Sequence, residues 1–373
     1  MSLWPASLPV DEILAAGSRE TPAAEILGQS RQGRPILAHR FDSAAPGAST
    51  ISLIAGCHAD EPVGPELLRR LARWLATAAA APWRRPLHWR LVPHVNPDGE
   101  ERNRRWSDHT LPVADWQGRS DRGYDLERYL RDVVREAPGD DLEFGFPRSS
   151  TDLEARPEAR AVAAFLESAP GRIVFHATLH GMAFADGPWF LLEKSWVERS
   201  ETLQRNLATR VESMGYRLHD VDRGGEKGFE RIAPGFSTRP DSRAMQAHFE
   251  ARGEPQTAAL FRPSSMETVR RIAGDPLTVV SEMPIFLLPP PERWPAKLPH
   301  PTGTEGKARF LTALMPRLAA GEEILRPMAL RDQMTLQLAL IEQGIVCALF
   351  QGRPAEGRPA QGRPAEGRPA EGG

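Results

Sequence analysis

The chain has few cysteines and no long apolar run. Its 373 residues include 2 cysteines, Cys57 and Cys347, in different sequence contexts. This number excludes a disulfide-rich scaffold, and lone thiols are typical of a reducing compartment, so we expect a cytoplasmic protein. No stretch approaches 18 uninterrupted apolar residues, and no basic segment followed by an apolar run opens the chain. We therefore predict neither a membrane span nor a secretion signal.

The chain also lacks a strong charge of either sign. Its net charge is −2, with 26% charged and 40% hydrophobic residues. These values are ordinary for a globular enzyme. They favour neither nucleic acid nor an anionic membrane surface as a partner, and they predict no oligomeric state.

From Ile51 onward, apolar strand patterns alternate with amphipathic helix patterns. The strand patterns cover residues 51–55, 87–92, 173–180 and 277–282, with Gly181 and Pro284 closing the last two. The helix patterns begin at Pro62 and also cover residues 158–166, 203–214, 307–318 and 329–341. This alternation predicts an α/β fold, in which one domain over residues 1–350 contains a twisted mixed, largely parallel sheet flanked by helices.

Two segments lie outside this alternation. Residues 222–263 are rich in Gly, Pro, Arg and Glu and show little periodicity, which predicts an irregular insertion acting as a lid or mobile loop. The tail, residues 351–373, repeats Gly-Arg-Pro-Ala-Glu/Gln with a period of five from Gly352 onward. Because it has no large apolar residue to bury, we expect it to be disordered.

The segment His58-Ala59-Asp60-Glu61 follows the first strong strand pattern and precedes a helix pattern. Open α/β sheets place ligand sites at such strand ends. An imidazole and a carboxylate are two of the three protein ligands of a His₂Glu zinc site, although a polar loop flanking a strand is the alternative. The neighbouring Cys57 is interpreted as a small buried residue rather than as a nucleophile or ligand.

A third ligand and a general base would have to come from other strands. His180 closes the third strand pattern, and His176 lies on the same face but deeper, where a supporting role is favoured. Glu282 ends an apolar strand. Because an unpaired buried carboxylate is costly, Glu282 should either pair with a nearby arginine or serve a site.

These blocks occur in the order found in zinc carboxypeptidases, and the chain resembles the carboxypeptidase A type from about residue 25 to residue 290. The blocks are His-x-x-Glu at 58–61, Asn-Pro-Asp-Gly at 96–99, Asp-Leu-x-Arg at 125–128, Leu-His-Gly at 179–181 and the strand-borne Glu282. The segment 27–36 also resembles the family's entry into its first strands. The sequence Asn-Pro-Asp-Gly at 96–99 is a strong turn signal, so we expect a turn there.

The resemblance implies one zinc ion per chain, bound by His58, Glu61 and His180. It implies that Glu282 is the general base. It further implies that Arg128 binds the terminal carboxylate of the substrate.

The family also has an arginine that polarises the scissile carbonyl. Arg102, Arg104 and Arg105 lie in the corresponding region, and the spacing slightly favours Arg105.

Two departures from the family pattern concern substrate binding. Glu127 stands where the family usually has Asn, and it would repel a substrate carboxylate unless it turns away or meets a cationic group. No tyrosine lies between residues 217 and 282, where digestive members carry one. We expect a zinc-dependent hydrolase of peptide or acyl-amino-acid substrates, namely a metallocarboxypeptidase. An amidohydrolase of the same fold, such as an N-acyl amino acid deacylase or a cell-wall peptide hydrolase, and an inactive binding protein are the alternatives.

Overall fold

Ten strands form one mixed sheet in the computed structural model, which describes residues 4–5, 7–18, 22–107, 123–301 and 303–351. The strands are β1 (Glu25–Gln29), β2 (Pro35–Phe41), β3 (Ser49–Ala55), β4 (Leu87–Val92), β5 (Ile173–Ala185), β6 (Trp189–Leu192), β7 (Arg231–Ala233), β8 (Phe236–Thr238), β9 (Leu277–Leu287) and β10 (Arg326–Pro327). The helices are α1 (Val10–Ala15), α2 (Val63–Leu75), α3 (Ala81–Arg84), α4 (Pro97–Ser107), α5 (Leu126–Asp132), α6 (Pro157–Glu167), α7 (Glu201–Ser213), α8 (Ser242–Ala251), α9 (Pro255–Ala258), α10 (Ser265–Ala273), α11 (Gly303–Ala319) and α12 (Leu330–Gln351).

The strand order is β1-β2-β4-β3-β5-β9-β6-β8-β7, and β10 pairs with β9. The four central strands, β4, β3, β5 and β9, are mutually parallel, and β8 is parallel to β6, whereas β1, β2, β6, β7 and β10 join by antiparallel pairing. This arrangement confirms the predicted α/β fold with a mixed sheet. The carboxyl ends of the parallel strands meet at one edge, which is where the candidate site lies.

The two faces of the sheet bury separate apolar clusters. Side chains of α2, α7 and α12 pack on one face, and side chains of α6 and α10 pack on the other. Residues of β3 alternate between the faces, since Leu53 belongs to the first cluster and Ile54 to the second. A central strand covered on both sides reads as a nearly continuous apolar run, which is why the sequence pattern identified it.

Helix α12 is long and apolar enough to cross a membrane by length and composition alone. However, 67% of its apolar window is buried inside the molecule, and Gly344 within it faces the ring of Phe175 on β5. Core helices of soluble proteins meet the same length and hydropathy criteria, so this helix is weak evidence for a membrane span.

Two predicted strand ends were wrong. Strand β5 continues past Gly181 to Ala185, and β9 continues past Pro284 to Leu287. Pro284 pairs with Met182 of β5 on one side, while the pairings of β6 and β10 with β9 stop short of it on the other. A proline lacks an N–H donor, and it is tolerated where no neighbouring strand needs that donor.

The segment Asn96-Pro97-Asp98-Gly99 begins helix α4 rather than forming a turn between strands. The side chain of Asn96 accepts a hydrogen bond from the backbone N–H of Gly99 at 3.0 Å, and Pro97 is the first helical residue. Asparagine before a helix and proline at its first position are preferred for the same reasons that favour them in turns.

The region 222–263 is more regular than predicted. It contains β7 and β8, which pair with each other, and helices α8 and α9. The side chain of Asp241 caps α8 by accepting from the backbone N–H of Ala244 at 2.8 Å. The sequence pattern missed these elements because they are short. The role of the segment as a lid or mobile loop stays a prediction.

The predicted disordered tail lies outside the described residues from 352 onward. Both cysteines, Cys57 and Cys347, are buried and free. The cytoplasmic location stays a prediction.

Gly64 allows α2 to approach the sheet closely beside the site. A Cβ atom there would lie 2.7 Å from the backbone oxygen of Leu179 and 3.1 Å from the Cβ atom of Ala55. We predict that Gly64→Ala destabilises the fold by about 1–3 kcal/mol, because backbone must move, despite the higher helix propensity of alanine. Chemical denaturation measures this, with Gly28→Ala as a control whose Cβ atom would make an ordinary 3.4 Å contact. Equal stability of the Gly64 variant and the wild type would contradict the packing argument.

Candidate metal centre

His58 and Glu61 are placed by the tight connection between β3 and α2. The chain turns at Gly56, whose φ is +70° and whose Cβ atom would lie 2.4 Å from the His94 ring. Only glycine meets both requirements without strain. The turn directs His58 over the edge of the sheet, and Glu61 stands just before α2 with its side chain buried.

His180 and Glu282 are placed by strand register. They are directly opposed on the parallel strands β5 and β9. His176 is four residues earlier on β5 and is fully buried, with its ring nitrogens 2.7 Å from the Ser52 hydroxyl and 3.1 Å from the Ser265 hydroxyl. The structure therefore brings His180, and not His176, together with His58 and Glu61.

The three side chains His58, Glu61 and His180 converge on one point. The two imidazole Nδ1 atoms are 3.1 Å apart. One oxygen of Glu61 lies 2.8 Å from Nδ1 of His58, and the other lies 2.9 Å from Nδ1 of His180. Two nitrogen ligands of a tetrahedral zinc ion, each about 2.0–2.1 Å from it, would be roughly 3.3 Å apart. The donor set and its spacing thus fit a zinc ion.

A second layer of carboxylates lies behind the two imidazoles, and the sequence interpretation missed it. Nε2 of His58 is 3.3 Å from Asp141, and Nε2 of His180 is 3.1 Å from Glu143. Metal-binding histidines commonly have a carboxylate on the other ring nitrogen. Asp141 and Glu143 lie outside the described helices and strands, so no periodicity marks them.

These carboxylates dominate the electrostatics of the centre. Burial alone would lower the pKa of His180, but the charges of Glu143 and Glu61 raise it to about 10. The pKa of His58 is likewise well above its usual range, because Glu61 and Asp141 outweigh its burial. The pKa of Glu61 is strongly depressed, since the two imidazoles outweigh its burial. The surrounding carboxylates therefore strongly favour positive charge where His58, Glu61 and His180 meet.

Glu282 lies at the edge of the same group. Burial, followed by the charge of Glu61, raises the pKa of Glu282 to about 8, and the two histidines only partly offset this. A half-buried carboxylate with a raised pKa in a site is suited to proton transfer.

The arginines singled out from the sequence are placed differently. Arg102 pairs with Glu136 and Arg104 pairs with Glu101, while Arg105 is exposed on α4.

The side chains of Glu127 and Arg128 are exposed on α5. Within the described part of the chain, no hydrogen bond or ion pair joins either side chain to His58, Glu61 or His180. Their neighbour Tyr129 is the buried residue of that helix.

A different guanidinium lies beside the centre. Nε of Arg135 donates to the buried carboxylate of Asp60, which directly precedes Glu61. Burial would lower the pKa of Arg135, but Asp60 and its neighbours outweigh burial and raise it above the usual range. The side chain keeps 47% of its surface exposed. The sequence carried no signal for this residue beyond its charge.

The chain matches a family model and a number of solved structures. A family model described as zinc carboxypeptidase matches residues 15–205. A search of curated proteins finds no significant match. Among solved structures, a candidate metallopeptidase from Shewanella amazonensis aligns with 13% identity and a TM-score of 0.48, covering 90% of this chain and 91% of that one. Bovine thrombin-activatable fibrinolysis inhibitor aligns with 12% identity and a TM-score of 0.45, covering 93% and 98%.

The assignment to a family rests on the family model, which spans more than half of the chain. Members of such a family are hydrolases with a metal, typically zinc, and the convergent group His58, Glu61 and His180 offers a place for one. The chain belongs to the zinc carboxypeptidase family.

Proposed function

We propose that this chain hydrolyses peptide or amide bonds with one zinc ion held by His58, Glu61 and His180, and with Glu282 as general base. One observation supports this most. The Nδ1 atoms of His58 and His180 are 3.1 Å apart, and each is within hydrogen-bonding distance of one carboxylate oxygen of Glu61. When bound there, a zinc ion supplies Lewis acidity that makes water acidic near neutral pH and polarises a carbonyl.

Glu282 moves the proton. Its carboxylate accepts a proton from the attacking water and returns it to the nitrogen of the leaving amine. Its position opposite His180 in the register supports this role. The raised pKa of Glu282 reflects burial and the neighbouring anionic Glu61, and a divalent cation at the ligands would favour the ionised base.

Arg135 is proposed as the cation that binds the substrate, in place of Arg128 or Arg105. Asp60 holds its Nε atom, and the partly exposed guanidinium can donate to a developing oxyanion or to a substrate carboxylate. The bond of Arg135 to Asp60 supports this choice, since among the described residues no hydrogen bond or ion pair joins the Arg128 side chain to residues 58–61.

A second candidate function is the hydrolysis of N-acyl amino acids by the same chemistry. The segment beside the centre reads Asp141-Leu142-Glu143-Phe144, so that the residue after Glu143 is aromatic rather than cationic. This segment brings anionic and apolar side chains, but no cation, next to the centre, so it offers no ion pair to the carboxylate of a peptide C-terminus. A panel of peptides with free or amidated C-termini and of N-acyl amino acids would separate the two candidates.

We predict that His58→Ala and His180→Ala abolish zinc binding and activity, because each removes one of three ligands. His176→Ala should retain about one zinc ion per chain, since its ring bonds two serines instead. Elemental analysis of purified protein measures the zinc content, with thermal unfolding to confirm that each variant is folded. Zinc retained by a folded His180 variant would contradict the ligand set.

Replacing the base should separate chemistry from metal binding. We predict that Glu282→Gln keeps the zinc ion and lowers kcat by a factor of about 10² or more. Glu292→Gln, the same change at an exposed position, should leave kcat unaltered. Loss of zinc from the Glu282 variant would make this residue a ligand instead of the base.

Substitutions of Arg135 and of Arg128 should have different effects on kcat/KM. Arg135→Lys keeps the charge next to Asp60 but loses the planar pair of N–H donors, so kcat/KM should fall by about tenfold or more. Arg128→Lys should change kcat/KM by less than about twofold. Steady-state kinetics on a substrate with a free carboxylate tests both variants. The reverse ranking would restore Arg128 as the binding residue.

A further inference from the structure

The two nitrogens of His180 face different groups. Nδ1 points to His58 and Glu61, at 3.1 and 2.9 Å, while Nε2 lies 3.1 Å from Oε2 of Glu143. The side chains of His180 and Glu143 are only 2% and 9% exposed. Neither Nε2 of His180 nor this oxygen of Glu143 forms a hydrogen bond of normal geometry among the described residues. These two buried polar atoms therefore face each other at 3.1 Å, and a small rotation of either side chain would align them as donor and acceptor.

Glu143 is held in place by its own segment. Its backbone N–H donates to the Asp141 carboxylate at 2.6 Å, and Leu142 between them is fully buried. On the other side lies the buried Cys57, whose Sγ atom is within 4.8 Å of a carboxylate oxygen of Glu143. The Glu143 carboxylate thus lies buried between a thiol and an imidazole.

We propose that Glu143 is a positioning residue that accepts a hydrogen bond from Nε2–H of His180 and so keeps the lone pair of Nδ1 directed at the metal. This inference rests on the proposed function, because it requires His180 to be a ligand. A carboxylate on the outer nitrogen fixes the ring orientation and the tautomer, and it makes the inner nitrogen a stronger donor. The thiol of Cys57 lies within 4.8 Å of the same carboxylate and can donate its proton to it.

A competing arrangement uses the same atoms. Sγ of Cys57, a carboxylate oxygen of Glu143 and a ring nitrogen of His180 lie within 4.8 Å of one another, which is close enough to hold a second metal ion. With both sites filled, both ring nitrogens of His180 would have to be deprotonated, and a buried thiol would have to ionise. Hydrogen bonding needs neither change, so it is the arrangement that the buried surroundings favour.

The test compares four variants of the full chain: Glu143→Gln, Glu143→Asp, Cys57→Ser and Asp140→Asn. The control Asp140→Asn removes a carboxylate from the same segment, at a position exposed and paired with Arg31. Zinc affinity is measured by competition with a chromophoric chelator. The ligand field is read from the visible absorption of the cobalt(II)-substituted protein.

We expect Glu143→Gln to weaken zinc binding by about 10–100-fold and to shift the cobalt(II) spectrum. Glu143→Asp should restore part of the affinity, and Cys57→Ser and Asp140→Asn should stay within about threefold of the wild type. Unchanged affinity and spectrum in Glu143→Gln, while His180→Ala still loses zinc, would overturn this inference alone. A second metal ion lost from Cys57→Ser would also overturn it in favour of a second metal site. Zinc binding that survives in His58→Ala and His180→Ala would overturn the proposed function and this inference together.

Discussion

The centre depends on compensation of buried negative charge. Four carboxylates surround the imidazoles of His58 and His180: Glu61 and Glu143 are buried, and Asp141 and Glu282 are half-buried. Burying such charges is costly unless positive charge accompanies them. Protonated imidazoles would supply part of it, which is why the carboxylates raise the histidine pKa values. A divalent cation supplies it as well and leaves the imidazoles neutral, as metal ligands must be.

The sheet holds the charged side chains of the centre in fixed positions. The parallel pairing of β3 with β5 and of β5 with β9 fixes the positions from which His180 and Glu282 project. Helix α2 is held close to β5 by Gly64, so that Glu61 meets His180 at 2.9 Å. Because closely packed cores resist displacement, the ligands are positioned before any metal binds. Pre-positioned ligands lose little conformational entropy on binding.

The sequence predicted the residues whose positions follow from strand periodicity. His58, Glu61, His180 and Glu282 adjoin or lie within apolar strands, and the order of the blocks joined them into one hypothesis. The sequence could not identify Asp141 and Glu143, because they lie in irregular structure where no period applies. Asp125-Leu126 and Asp141-Leu142 are equivalent as sequence, and only the fold shows that the second pair adjoins the centre. The sequence could not identify Arg135 either, because its proposed role depends on its contact with Asp60, which is 75 residues away in the chain.

Anomalous X-ray diffraction at the zinc edge, on crystals of protein purified without chelator, tests the central claim most directly. The account predicts one anomalous peak per chain, on the Nδ1 side of both His58 and His180 and beside Glu61. It also predicts no anomalous peak on the Nε2 side of His180, next to Cys57 and Glu143. A peak on that side, or none at Glu61 in fully folded protein supplied with zinc, would contradict the proposed metal centre.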